Sequence, residues 1–145
     1  MSQRLKSISR IARLLDHQKE AIEMEVLQTR QKLDQEQNNL ADLENRLEMT
    51  IGTFEKDMND KVICSSREVT YLYGVSSFIS NKIEVKQTEV QQIDRKLRAQ
   101  EDVLLAAFRK QKVFGLFKNK LVAREKRTEA LLEQKSQDFL NLVTR

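Results

Sequence analysis

The sequence has no proline, no tryptophan, only three glycines, one cysteine and one histidine in 145 residues. Chain reversals usually need the backbone angles of glycine and proline, so this scarcity disfavours a loop-rich fold. Isolated glycines cannot form a phosphate-binding loop, and a zinc site needs more ligands than His17 and Cys64, which lie far apart in sequence. We therefore predict no enzymatic activity, no catalytic residue, no metal, no cofactor and no small-molecule substrate.

Long hydrophobic runs are missing as well. The opening residues, MSQRLKSIS, contain no apolar core of a signal peptide. The longest stretch without a charged residue, 69–81, has thirteen residues, whereas a membrane-spanning helix needs roughly twenty apolar ones. A single thiol without an export signal predicts a cytoplasmic protein in a reducing environment.

The sequence is rich instead in apolar residues at heptad spacing. From residue 5 to residue 54, eleven of the fifteen positions spaced alternately by three and four are apolar; Lys19, Thr29, Glu36 and Thr50 interrupt them. A second series begins at Leu72, with eight apolar residues at eleven positions up to residue 107 and five at ten positions from 111 to 142. A pattern held over seven heptads is typical of a coiled coil.

The segment between the two series departs from the heptad pattern. At residues 65–68 the tetrapeptide SSRE matches a capping box, in which a Ser hydroxyl and a Glu carboxylate accept hydrogen bonds from amides at a helix start. We predict helix 1 at about residues 3–59, a turn at about 60–65 and helix 2 at about 66–143.

A short connection favours antiparallel packing of the two helices. With the turn centred near residue 63, Leu43 faces Ile83. The predicted fold is all-α, a single coiled-coil hairpin domain over residues 1–145. Helix 2 is the longer helix, and its last part, about residues 122–145, overhangs where the apolar series thins.

Charge is unevenly distributed along the chain, whose net charge is +4. Residues 1–19 contain five basic and one acidic residue, residues 109–127 eight basic and one acidic, and residues 20–60 four basic and eleven acidic. The hairpin places the two basic segments side by side. Such repulsion costs stability and indicates a partner, although a solvated helix face is the simpler alternative.

Two clusters are candidate contact surfaces. The segment Val113-Phe114-Gly115-Leu116-Phe117 lies among lysines, as in an interfacial membrane helix. Helix packing also accounts for Phe114, but not for Leu116 and Phe117. Near the turn, Tyr71 and Phe78 belong to an aromatic cluster that is either an interaction surface or a local hydrophobic cap. Without tryptophan or a base-reading motif, the sequence disfavours nucleic acid as a partner.

Three blocks of sequence follow one another along the chain: Leu5-x-x-Ile8-x-x-Ile11 with Arg10 and Arg13, then Ser65-Ser66-Arg67-x-x-x-Tyr71 with Phe78-Ile79, then a basic run from Ala107-Phe108-Arg109 to Asp138. In these blocks the whole chain resembles the FliJ family, the small coiled-coil component of the bacterial flagellar type III export apparatus.

The resemblance implies an antiparallel coiled coil similar to the central stalk of rotary ATPases. Members of the family insert into the hexameric flagellar export ATPase and promote its assembly. They also bind the cytoplasmic domain of the membrane export gate and escort export chaperones. The protein would be cytoplasmic and peripherally associated with the inner membrane at the export apparatus.

The resemblance also implies site residues. Contacts with the ATPase ring would fall on Arg10, Arg13, Arg124, Arg127 and Asp138. Contacts with the export gate would fall on Leu47, Ile51, Tyr71 and Phe78. Two alternatives stay open: the equivalent stalk of a virulence type III secretion injectisome, and a basic coiled-coil adaptor that binds membrane or nucleic acid.

Overall fold

A computed structural model describes residues 3–60 and 65–144 of the chain. Helix α1 spans Gln3–Asp60 and helix α2 spans Ser66–Val143, and the described residues contain no strand. The predicted fold class, two long helices packed against each other, is confirmed. The helix bounds differ from the predicted ones by one residue, at the end of α1. Most of the predicted turn, and Cys64 with it, lies outside the described residues.

The start of α2 has the serine half of the predicted capping box. Ser65 Oγ accepts a hydrogen bond from the backbone N–H of Glu68, with 3.3 Å between the two atoms. The Ser65 carbonyl accepts another from the N–H of Val69 at 3.3 Å. The first N–H groups of a helix have no partner within it, so the Ser65 side chain satisfies one of these donors.

The heptad pattern of α1 matches its burial. Each of the fifteen predicted positions from residue 5 to residue 54 is buried or half-buried, including the four polar ones. The two threonines among these positions form hydrogen bonds within the helix: Thr29 Oγ1 donates to the Glu25 carbonyl at 3.0 Å and Thr50 Oγ1 to the Arg46 carbonyl at 2.7 Å. Their hydroxyls are thus satisfied without a partner on α2.

The helices form two compact units. In unit 2, residues 24–101, the buried side chains outside residues 61–64 are Val26, Thr29, Leu33, Ile83 and Leu97. Arg30 pairs with Glu101 at 3.1 Å, whereas Glu36, further along α1, pairs with Lys86, which is earlier in α2, at 2.5 Å. The helix segments of unit 2 are therefore antiparallel.

Unit 1 combines residues up to 23 with residues from 102 onward. Its buried side chains, among residues 3–23 and 102–144, are Leu5 and Ile8. Between its helix segments, Gln111 donates a side-chain hydrogen bond to Asp16, and the Lys19 ammonium lies 4.3 Å from the centre of the Phe108 ring. These contacts also require antiparallel segments.

The last part of α2 is the extension that the sequence predicts. Every residue from 126 to 144 is exposed, so the uncovered part of α2 begins four residues later than predicted. Neither described helix contains a stretch long and apolar enough to cross a membrane.

Candidate interaction surfaces

Unit 1 carries most of the positive charge. It contains fifteen basic and eight acidic residues, a net charge of +7, whereas unit 2 contains eleven basic and fourteen acidic residues, a net charge of −3. We use the name basic surface for twelve residues of unit 1: Arg4, Lys6, Arg10, Arg13, Arg109, Lys110, Lys112, Lys118, Lys120, Arg124, Lys126 and Arg127.

The basic surface is available to a partner. Eleven of its twelve residues are exposed and Lys118 is half-buried. None of the twelve forms an ion pair with another described residue. Because both helix segments of unit 1 carry an excess of basic residues here, few carboxylates are close enough to neutralise them.

The five residues assigned to the ATPase ring all belong to unit 1, and all are exposed: Arg10, Arg13, Arg124, Arg127 and Asp138. Of these, Arg124 lines a groove of about 250 Å³ between the helix segments. Asp138 lies in the uncovered extension of α2.

The groove beside Arg124 has an apolar floor and a basic rim. Ile8 and Leu121 contribute apolar side chains from the two helix segments, and Phe117 adds an aromatic one. Arg4 and Lys120 complete the lining, so three cations surround this groove. Arg4 is not among the residues that the resemblance assigns to the ATPase ring, and the packing of the segments places it in the same groove as Arg124.

Residues near the turn form a larger, more apolar groove in unit 2. Its volume is about 850 Å³, and its lining combines methionine, aromatic and aliphatic side chains: Met49, Phe54, Met58, Tyr71, Leu72 and Val75, with Thr50, Thr53, Asp57, Ser65, Arg67 and Glu68. Tyr71 is 75% exposed and Met49 73% exposed, so both can be reached by a partner. We call this the turn groove.

The four residues assigned to the export gate do not share one groove. Tyr71 lines the turn groove, whereas Phe78 lines a second groove of unit 2 with Leu43, Arg46 and Val85. Leu47 and Ile51 line neither of these two grooves, although Ile51 is exposed.

Sequence reasoning missed two residues of the turn groove, Met49 and Met58. Both are exposed, and both are apolar residues outside the heptad series. Their position off the series is the signal that could have identified them, because an apolar residue that helix packing does not need is a candidate for partner contact.

A charged cluster lies between the helix segments of unit 2. The Lys86 ammonium is 2.5 Å from Glu36 Oε2 and 3.2 Å from Glu89 Oε2. The hydrogen bond to Glu36, and then that to Glu89, raises the pKa of Lys86 above its ordinary value of 10.5. Less than a quarter of the Lys86 and Glu36 side chains is exposed, so this pair contributes to helix pairing.

No group of three or more His, Cys, Asp or Glu side chains with the geometry to hold a metal ion occurs in residues 3–60 and 65–144. No family model, curated protein or solved structure matches the chain.

Proposed function

We propose that this chain is a non-enzymatic, stalk-like component of a type III protein export apparatus. It would insert into and promote assembly of the hexameric flagellar export ATPase, as the resemblance to the FliJ family implies. One observation carries the proposal. Unit 1 has a net charge of +7, and the twelve cations of its basic surface have no ion-pair partner among the described residues.

A helical hairpin is suited to this role because its backbone hydrogen bonds are satisfied within each helix and its side chains remain available to the ring. The unpaired cations of unit 1 would steer it toward an acidic ring interior and fix its register there. The proposed ring contacts are Arg10, Arg13, Arg124, Arg127 and Asp138, all of which are exposed.

The second partner in this proposal is the cytoplasmic domain of the export gate. The exposed aromatic residues Tyr71 and Phe78 support such a contact, because a cluster of exposed aromatic side chains is typical of a binding surface. Leu47 and Ile51 would contribute from α1. Escort of export chaperones and a peripheral location at the inner membrane belong to the same proposal.

The test uses the purified chain and the cognate flagellar export ATPase. ATP hydrolysis is measured with and without the chain, and the ATPase is imaged by electron microscopy. We expect faster hydrolysis and more hexameric rings with density in their pores. If hydrolysis and ring formation are unchanged, the proposal is wrong. Running the assay in parallel with an injectisome ATPase separates the flagellar from the virulence alternative.

Charge reversal tests the ring contacts directly. Arg124→Glu with Arg127→Glu should weaken binding to the ATPase at least tenfold, because two cations are replaced by two anions at the proposed interface. The control is Arg95→Glu with Lys96→Glu, an equal change in charge at exposed residues of unit 2. Equal affinity of the two double variants would contradict the assignment of the ring contacts to unit 1.

A further inference from the structure

Three apolar side chains of α2 are exposed within the basic surface. Val113 is 66%, Leu116 57% and Phe117 53% exposed. The heptad position in this segment of α2 is Phe114, whose side chain is half-buried, and the three exposed residues lie outside the heptad series. Packing between the helix segments therefore leaves more than half of each exposed side chain in water, at a cost that a partner would remove.

These side chains share one side of the helix with two cations. An α-helix turns by about 100° per residue, so Val113, Leu116, Phe117, Lys120 and Arg124 all lie within an arc of about 100° on its surface. We call these five residues the 113–124 face.

A cation from α1 extends this face. Arg4 lines the same groove as Phe117, Lys120 and Arg124. The face therefore presents apolar side chains beside cations that come from both helix segments of unit 1.

We propose that the 113–124 face binds the surface of an anionic lipid bilayer. Leu116 and Phe117 insert at the level of the lipid headgroups and first acyl carbons. Lys120, Arg124 and Arg4 contact lipid phosphates, and their long apolar stems allow the charged groups to remain in the headgroup layer. Val113 extends the inserted apolar side.

An anionic bilayer is the partner that uses both components of this face. A nucleic acid would be bound by its phosphates, and the exposed aliphatic side chains Val113 and Leu116 would have no role. A bilayer supplies anionic phosphates and apolar chains within a few ångströms of each other. The inference rests on the 113–124 face and Arg4, and it does not depend on an export ATPase.

The first experiment measures sedimentation of the full chain with vesicles of phosphatidylcholine alone or with one third phosphatidylglycerol. We expect binding to the anionic vesicles and at least tenfold weaker binding to the neutral ones. Leu116→Ser with Phe117→Ser should lower the partition coefficient at least tenfold. The matched control, Leu131→Ser with Leu132→Ser, removes two similarly exposed leucines from the uncovered extension and should change it less than twofold.

Charge is tested with Lys120→Glu and Arg124→Glu together, which should also reduce binding at least tenfold. Circular dichroism verifies that each variant keeps its helix content. Three results would each overturn the proposal: no binding of the native chain to anionic vesicles, equal binding to neutral ones, or unchanged binding after the Leu116 and Phe117 substitutions.

A second experiment locates the inserted residue. The chain has no tryptophan, so Phe117→Trp creates a single fluorescent reporter. We expect its emission to shift to shorter wavelength on anionic vesicles and to be quenched by brominated acyl chains. Phe139→Trp, in the uncovered extension and 66% exposed, is the control and should show neither change. Equal responses of the two reporters, or an equal shift of the Phe117→Trp reporter with DNA or polyglutamate instead of vesicles, would overturn the assignment to lipid.

Discussion

The two units of the hairpin use their charged residues differently. Unit 2 has residues of both signs on both helix segments, and two of its pairs, Lys86–Glu36 and Arg30–Glu101, join α1 to α2. Unit 1 has an excess of basic residues on both segments, and no ion pair joins the segments among its described residues. Ion pairs between helices require opposite signs on facing segments, and the excess of basic residues in unit 1 leaves fewer carboxylates for such pairs than unit 2 has.

The units also differ in their apolar contacts. Among the residues that the structure describes, unit 2 buries four apolar side chains, Val26, Leu33, Ile83 and Leu97, whereas unit 1 buries Leu5 and Ile8. Burial of apolar area is the main favourable term in folding. Unit 2 is therefore expected to be the more stable part, and unit 1 the part whose surface is left for partners. The following predictions test this difference, from the largest expected effect to the smallest.

The largest effect on stability is expected from a substitution that creates a cavity between the helix segments of unit 2. Leu33→Ala should lower the free energy of unfolding by about 2 kcal/mol, the lower end of the usual range, since a two-helix interface can partly close around the cavity. Urea denaturation followed by circular dichroism measures it. Leu27→Ala, at a position 50% exposed, is the control and should cost less than about 0.5 kcal/mol.

A leucine-to-alanine substitution in unit 1 tests whether the two units differ in stability. Leu5→Ala should lower the free energy of global unfolding less than Leu33→Ala, because residues near a helix end open locally before the rest of the chain unfolds. Hydrogen exchange should instead show faster exchange near the start of α1. Equal losses of global stability for Leu5→Ala and Leu33→Ala would contradict the difference in stability between the units.

Each unit contains a helical glycine whose replacement by alanine should increase stability, so the same substitution can be compared between the units. Gly52 in unit 2 and Gly115 in unit 1 lie within helices, and an added Cβ would have no neighbour within 4 Å at either. Alanine should stabilise each helix by about 0.5–1 kcal/mol. We expect Gly52→Ala to raise the urea midpoint and Gly115→Ala to slow hydrogen exchange mainly in unit 1. Equal midpoint shifts would show that the two units unfold together.

A smaller effect is expected from the pH dependence of the Lys86 cluster. The pKa of Lys86 is raised, so its stabilising contribution is complete below 10.5 and is lost as pH rises through the raised value. The melting temperature of the native chain should therefore fall more steeply above pH 10.5 than that of Glu36→Gln, in which the larger cause of the raised pKa is removed. If the melting temperatures of the two proteins fall in parallel with pH, the Lys86–Glu36 pair does not contribute to helix pairing.

The smallest effect is expected from salt, and its sign should differ between the units. Raising the salt concentration screens repulsion in unit 1 and attraction in the cross-helix pairs of unit 2, each by a few tenths of a kcal/mol. Hydrogen exchange should slow in unit 1 and become faster around Arg30 and Lys86. The same sign in both units would contradict the electrostatic difference between them.

The sequence alone determined the helices and their buried sides. Residues that pack between two helices recur with the period of the helix, so the heptad series identified the less exposed positions of α1, including the polar residues Lys19, Thr29, Glu36 and Thr50. The cap at Ser65 was equally predictable, because it depends on residues only three apart. These features are local, and local features can be derived from spacing and residue type.

Only the tertiary structure decided which residues meet across the two helices. Contact between Arg4 and the groove of Phe117, Lys120 and Arg124 depends on helix register and on side-chain direction, and the heptad pattern specifies neither for off-series residues. The same applies to Met49 and Met58, which join Tyr71 in the turn groove only because their segments are packed together. Periodicity specifies the side that a helix buries, whereas three-dimensional packing determines which exposed residues form a surface.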